Sequence, residues 1–174
     1  MSSIAVFHET QEYPWYAIRT KARLEPVTLC ALNGKGYESF LPTYRSRRKW
    51  SDRMVDVENP LFPGYLFSRF DVGRRLPILT TPGVLSIVSF GKEPGPVDND
   101  EIEAVRTVLR SGLYAEPCPF LREGERVRIV SGPLTGLDGI LEKKKTKHRI
   151  VISVTMLQRS VSVELDSGWI KRLR

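Results

Sequence analysis

Residues Asn59 to Phe70 read NPLFPGYLFSRF. Phe62, Tyr65, Phe67 and Phe70 stand around a Pro63-Gly64 break, and this density of aromatic side chains favours a pleated, mostly buried strand. Neither Pro60 nor Pro63 can donate a ladder hydrogen bond, so each belongs near a strand start or at a bulge. Gly64 lets the backbone bend or be closely approached. The stretch is predicted as a central strand. Upstream lies a basic segment with Arg45, Arg47, Arg48, Lys49 and Arg53, and downstream come two helix-like segments and a second β-rich module.

Working outward, Trp15 to Thr20 (WYAIRT) has the aromatic and β-branched character of a strand. Thr20 is placed to cap a helix with Pro26 in its first turns and Leu24, Val27, Ala31 and Leu32 at helical spacing, stopped by Gly34 and Gly36. Phe40 to Trp50 and Met54 to Val57 read as extended around a Ser51-Asp52 turn, so the basic residues decorate a hairpin. Gly73 to Leu79 fits a helix interrupted by Pro77. Pro82-Gly83 is a turn, Val84 to Phe90 a strand, and GKEPGPV a loop. Asp98 and Glu101 have capping-box spacing ahead of a helix carrying Ile102, Val105 and Leu109, with Gly112 as its stop. This order predicts an α+β domain with an antiparallel or mixed sheet covered by helices.

Residues 1–13 show no period and read as a leader, ahead of a domain over 14–112. Residues 113–121 hold two prolines and read as a linker. Beyond it, residues 122–174 contain four or five short strands punctuated by Gly132-Pro133, Gly136 and Asp138-Gly139, the pattern of a small β-barrel.

A chain of 174 residues with 41% hydrophobic content can bury one moderate core or two small ones. No apolar run approaches the roughly 18 to 20 residues of a membrane span, and the first residues lack the order of a secretory signal, so a cytoplasmic protein without a membrane partner is expected. Cys30 and Cys118 form no CxxC pair, and His8 and His148 have no ligand at metal spacing. No Ser or Cys has a histidine placed to activate it, and the glycines of 132–139 lack the Lys-Ser or Lys-Thr of a phosphate loop. The sequence therefore predicts no enzyme, no metal and no cofactor. Net charge is +7, of which residues 122–174 hold +6 and residues 1–121 only +1. That balance favours polyanionic company, and the basic hairpin leaves a local positive patch in a nearly neutral domain.

At WYAIRTKARLEP, NPLFPGYLF, LTTPGVLSIVSFG and GERVRIVSGPLTGLDGILE the chain resembles the NusG family of transcription elongation factors. The resemblance runs from Trp15 to Leu173 and implies an N-terminal NusG domain, a linker and a C-terminal KOW barrel. FLPTYRSRRKW and PLFPGYLF look more like specialised paralogues, such as RfaH and the capsule-operon and antibiotic-operon antiterminators, than like general NusG.

The resemblance implies that the N-terminal domain binds the clamp helices of RNA polymerase through an apolar pocket of Phe62, Pro63, Tyr65 and Phe67, supported by Trp15 and Tyr16. Arg19 stands where RfaH has an aromatic residue. For Trp15 and Phe67, core and contact are equal readings, whereas the Pro-Gly break favours contact for Phe62 and Tyr65. On the barrel, Leu157, with Met156 beside it, matches the apolar loop residue that binds a small-subunit ribosomal protein or Rho; burial is the other reading. Gly139 matches the KOW glycine, where backbone conformation is the expected reason. Asn59 replaces the carboxylate that helps lock a helical C-terminal hairpin in RfaH, so the C-terminal module is expected to be β. Arg45, Arg47, Arg48, Lys49, Trp50 and Arg53 are the expected contacts to non-template DNA or nascent RNA. The implied function is a monomeric elongation or antitermination factor, and the rival is a ribosome-associated or free RNA-binding KOW protein.

Overall fold

The computed structural model describes residues 12–120, 124–144 and 147–173; the leader expected over residues 1–13 and its His8 lie almost wholly outside them. The chain runs β1 (Trp15–Thr20), α1 (Glu25–Gly34), β2 (Ser39–Phe40), β3 (Thr43–Trp50), β4 (Arg53–Pro60), β5 (Tyr65–Arg69), α2 (Leu76–Leu79), β6 (Val84–Ile87), β7 (Ser89–Phe90), β8 (Glu93–Pro94), β9 (Pro96–Val97) and α3 (Asn99–Arg110). Then follow β10 (Ala115–Pro119), β11 (Glu125–Ile129), β12 (Asp138–Lys144), β13 (Lys147–Val154), β14 (Arg159–Leu165) and β15 (Ile170–Arg172). This is the expected α+β architecture.

The first sheet has the order β2-β5-β1-β6, with β9 also paired to β1. Its central strand β1 is buried at every position but Arg19, because both faces are covered. On one face Trp15 and Ala17 join Phe67, Val97 and the α3 residues Ile102, Val105 and Val108. On the other, Tyr16 and Ile18 join Leu32, Leu66, Phe70, Ile78 and Ile87 beneath α1 and α2. The β1–β5 register places Ala17 opposite Phe67 and Arg19 opposite Tyr65.

Asn59–Phe70 is not one strand. Leu61–Gly64 separates the end of β4 from β5, because the residues between Pro60 and Tyr65 close a turn: the Tyr65 N–H donates to the Phe62 carbonyl at 3.0 Å. Pro63 supplies the fixed φ of the first central position, and Gly64, at φ +83°, supplies the left-handed second position of a type II turn.

Helix α1 begins at Glu25, not after a Thr20 cap, since Thr20 completes β1 and Lys21–Arg23 turn the chain. Its buried side keeps only Leu32 of the predicted apolar residues: Val27 is 57% exposed and Leu24 is exposed, whereas Glu25 and Thr28 face inward with Leu32. The reason is a close approach to the Pro82-Gly83 turn. Thr28 Oγ1 donates to the Pro82 carbonyl at 3.2 Å, and a Cβ on Gly83 would lie 2.1 Å from that same oxygen.

Strands β3 and β4 form a two-stranded sheet of their own around the Ser51-Asp52 turn. The predicted strand over Val84–Phe90 divides into β6 and β7, and β7 pairs with β8 inside the expected loop. In α3, Asp98 accepts from the Asp100 N–H as predicted, but Glu101 does not return to close a capping box, and Val108 rather than Leu109 completes the buried stripe.

The second sheet has six antiparallel strands in the order β10-β14-β13-β12-β11-β15, with Val127, Ile129, Ile150, Ile152, Val161 and Val163 inside. It is β throughout, as expected. The stretch read as a linker contributes β10, and this edge position tolerates Pro117 and Pro119. Arg149 ties the edge in place by donating to Glu116 on β10 and, at 2.7 Å, to Glu164 on β14. Gly139 has no positive φ; it is small because a Cβ there would lie 2.2 Å from Ile150 Cγ2 and 3.1 Å from the Val151 carbonyl.

Candidate functional site

The Leu61–Gly64 turn is held from three directions. The Leu61 N–H donates to the Pro42 carbonyl, the Thr20 N–H donates to the Gly64 carbonyl, and the Gly64 N–H donates to Glu25 Oε1 at 2.9 Å. Glu25 is only 3% exposed, so a buried carboxylate in the first turn of α1 fixes the turn.

This anchoring decides which candidate docking residues come together. Phe62 packs edge-on against Phe67 with ring centroids 5.9 Å apart, and both are buried with Trp15 in one apolar cluster. Pro63 is exposed and Tyr65 half-buried beside them. Tyr16 does not join the group: it points to the opposite face of the sheet, where its ring lies 4.8 Å from Phe70. Burial, and then the Asp71 carboxylate, push its phenol above the usual range. Phe62, favoured as a contact from its neighbouring break, is 1% exposed. The accessible part of the group is therefore Pro63 and Tyr65, over a Phe62–Phe67–Trp15 foundation.

Trp15 is also covered from outside, with the guanidinium carbons of Arg69 and Arg106 at 4.8 and 4.9 Å from its ring. It is 1% exposed.

Sequence reasoning did not anticipate how the C-terminal sheet meets this edge. The turn Thr155–Leu157, between β13 and β14, sits against α3 and β9. Glu101 accepts there from the Thr155 N–H at 3.2 Å and from Thr155 Oγ1 at 2.6 Å. Arg159 lies 5.9 Å from the centre of the Tyr65 ring. Leu157 is 8% exposed and shares the apolar cluster with Phe62 and Phe67. Its burial was the alternative reading; the Met156 side chain lies outside the described residues. The signal in the sequence was Glu101 itself, whose spacing from Asp98 suited a cap it does not make.

On the hairpin, Arg45, Arg47, Arg48, Lys49, Trp50 and Arg53 are all exposed, as a binding surface requires, and Trp50 is 67% exposed. Arg47 pairs with Asp56 at 3.3 Å. Among the described residues no group of three or more His, Cys, Asp or Glu could hold a metal ion, and no helix is long and apolar enough to cross a membrane.

Residues 13–106 match the family described as NusG, transcription termination factor. The chain is similar to the transcription termination/antitermination protein NusG of Thermus thermophilus, 32% identical over 87% of this chain and 94% of that protein. It is 26% identical to the protein of the same name from Pseudomonas aeruginosa, over 97% of both chains. A solved structure concerning domain interaction in Thermotoga maritima NusG superposes with a TM-score of 0.55 at 19% identity, covering 92% of this chain and 97% of that one.

Proposed function

Since the chain belongs to the NusG family of transcription termination and antitermination factors, we propose that it is a binding protein without catalytic activity that holds the clamp helices of RNA polymerase in the cytoplasm. The reading rests on one observation: Pro63 and Tyr65 are presented by a rigidly anchored type II turn above a buried aromatic base. An aromatic anchor on preorganised backbone is the kind of residue that dominates interface energies. A factor of this kind suppresses pausing by favouring the elongating polymerase over the paused one, and differential affinity for those two states is sufficient.

The proposed division is an N-terminal unit over residues 14–112 and a C-terminal unit over 122–174, to whose sheet the connecting residues 113–121 add β10 as an edge strand. Leu157, with Met156, is the proposed contact for a small-subunit ribosomal protein or Rho. Because Arg159 sits against Tyr65, Thr155 is bonded to Glu101 on α3 and Leu157 is buried, engagement of either partner requires the two units to separate. The hairpin residues are the proposed contacts to non-template DNA or nascent RNA. Their basic run supports a specialised paralogue serving particular operons.

Tyr65→Ala tests the reading. Loss of an anchor costs about 2 kcal/mol or more, roughly thirtyfold in affinity, so a pulldown on purified RNA polymerase should weaken while the circular dichroism spectrum stays native. Unchanged retention by polymerase would contradict the proposed edge. Phe62→Ala should instead destabilise the fold by about 3–5 kcal/mol, as expected for a buried phenylalanine.

A further inference from the structure

The hairpin has two chemically different faces. Directly opposed residues in an antiparallel pair share a face, and the register pairs Arg45 with Glu58, Arg47 with Asp56 and Lys49 with Met54 on one side. On the other it pairs Tyr44 with Asn59, Ser46 with Val57, Arg48 with Val55 and Trp50 with Arg53. Side-chain bonds agree with that division: Asn59 Nδ2 donates to Ser46 Oγ at 2.8 Å on the second face, and Thr43 Oγ1 donates to Glu58 at 2.6 Å on the first.

On the first face Glu58 and Asp56 stand opposite Arg45 and Arg47, two of its three cations, and the Arg47–Asp56 pair closes at 3.3 Å. The second carries no carboxylate at all. Arg48 and Arg53 have no acidic partner among the described residues, and Trp50, directly opposite Arg53, is 67% exposed. Arg48 and Trp50 are two residues apart on β3, so their stems are separated by about 6.8 Å along the strand. The half-buried Tyr44 roots this face on the body of the domain, while Arg48, Trp50 and Arg53 stand near the tip of a ribbon that forms its own sheet.

We infer that the Arg48–Trp50–Arg53 face is a stacking site for single-stranded nucleic acid, with Trp50 as the platform for one base and the two guanidiniums holding the phosphates on either side. The inference rests on the hairpin reading above and narrows it to one face. A solvent-facing tryptophan with both neighbours cationic and uncompensated is poor solubilising surface, but it combines the two elements that sequence-tolerant single-strand binders use. The opposite face, where Asp56 and Glu58 stand across from Arg47 and Arg45, leaves phosphates half the net charge, three cations less two carboxylates against two cations.

The experiment measures fluorescence anisotropy of a labelled twenty-residue oligothymidylate, its ribo-counterpart and a duplex of the same length, with the full chain and a salt series. Arg48→Gln/Arg53→Gln and Arg45→Gln/Arg47→Gln remove the same charge from the same hairpin, so the long-range field is matched. The first pair should weaken single-strand binding at least tenfold and reduce the salt slope by about 1.4, from about 0.7 per phosphate contact. The second pair should change affinity less than threefold. Trp50→Ala should cost about five- to 150-fold, and Trp50→Phe should recover most of it, with bound oligonucleotide quenching the wild-type tryptophan emission. The DNA and RNA arms show which strand is held more tightly. Equal losses from the two arginine pairs would overturn the assignment to one face while leaving the hairpin as the contact. Preference for the duplex, with Trp50→Ala neutral, would replace stacking by groove binding. Unchanged binding in every variant would remove the hairpin reading itself.

Discussion

Replacing Glu25 by alanine would remove the acceptor that holds the Gly64 N–H, one of the three bonds that fix the Pro63-Gly64 turn from outside. A hydrogen bond to an ionised partner contributes about 1.5–3 kcal/mol. The carboxylate also sits in the first turn of α1, where the helix dipole favours a negative charge by about 0.3–1 kcal/mol. Desolvation of a group that is 3% exposed offsets part of this, so the lower end, about 2 kcal/mol, is the expected loss. For a unit of 60–100 residues that corresponds to a fall in Tm of about 8–16 °C. Glu25→Gln keeps an amide oxygen within reach but makes a neutral bond of about half the strength, so its loss should be near 1 kcal/mol. Thermal unfolding followed by near-ultraviolet circular dichroism gives the stability order, and hydrogen exchange at the Gly64 amide reports the turn directly. If both variants melted with the wild type and the Gly64 amide exchanged at its original rate, Glu25 would not anchor the turn.

Gly139→Ala should destabilise the C-terminal sheet by about 1–3 kcal/mol, the range for overpacking, because its Cβ would meet Ile150 Cγ2 and the Val151 backbone; denaturant melts of the full chain give the value. Glu101→Ala should loosen the contact between α3 and the Thr155–Leu157 turn, detected as faster proteolysis between the two units and a larger radius of gyration by small-angle scattering. The Arg128 guanidinium, bonded at 2.6 and 2.8 Å, holds the Asp138 carboxyl below the usual carboxylate range. A depressed folded-state pKa means the stabilisation is present above the unfolded value of about 3.9 and lost as pH falls through the lower folded value. Asp138→Asn should therefore flatten the acid limb of the sheet's stability curve below about pH 4, by a small amount because the pair is partly exposed.

The elements that local chemistry determines were legible in the sequence. β1 spans the predicted residues because WYAIRT is β-forming throughout, and Asp98 caps α3 as its position before the apolar stripe implies. What failed depended on contacts between distant residues. Thr28 and Glu25 turn inward because Gly83 and Gly64 come to meet them, and no helical period in residues 24–32 records that. β10 reads as a linker because its prolines suppress strand character, yet an edge strand needs only one bonded side. In the candidate site, the turn and the aromatic group around it were visible. The separation of Tyr16 from Tyr65 required the alternation of β1 to be followed across the register, and the Glu101–Thr155 contact joins residues 54 positions apart.

Whether the anchored Pro63–Tyr65 edge serves RNA polymerase is tested by competition between purified RNA polymerase core and purified small ribosomal subunits for the labelled chain. Sedimentation should place the label with polymerase, and Tyr65→Ala should release it. Label that stayed off the polymerase altogether, or that polymerase retained equally for the wild type and Tyr65→Ala, would contradict this role, and absence from polymerase together with sedimentation on the ribosomal subunits would favour a ribosome-associated RNA-binding protein.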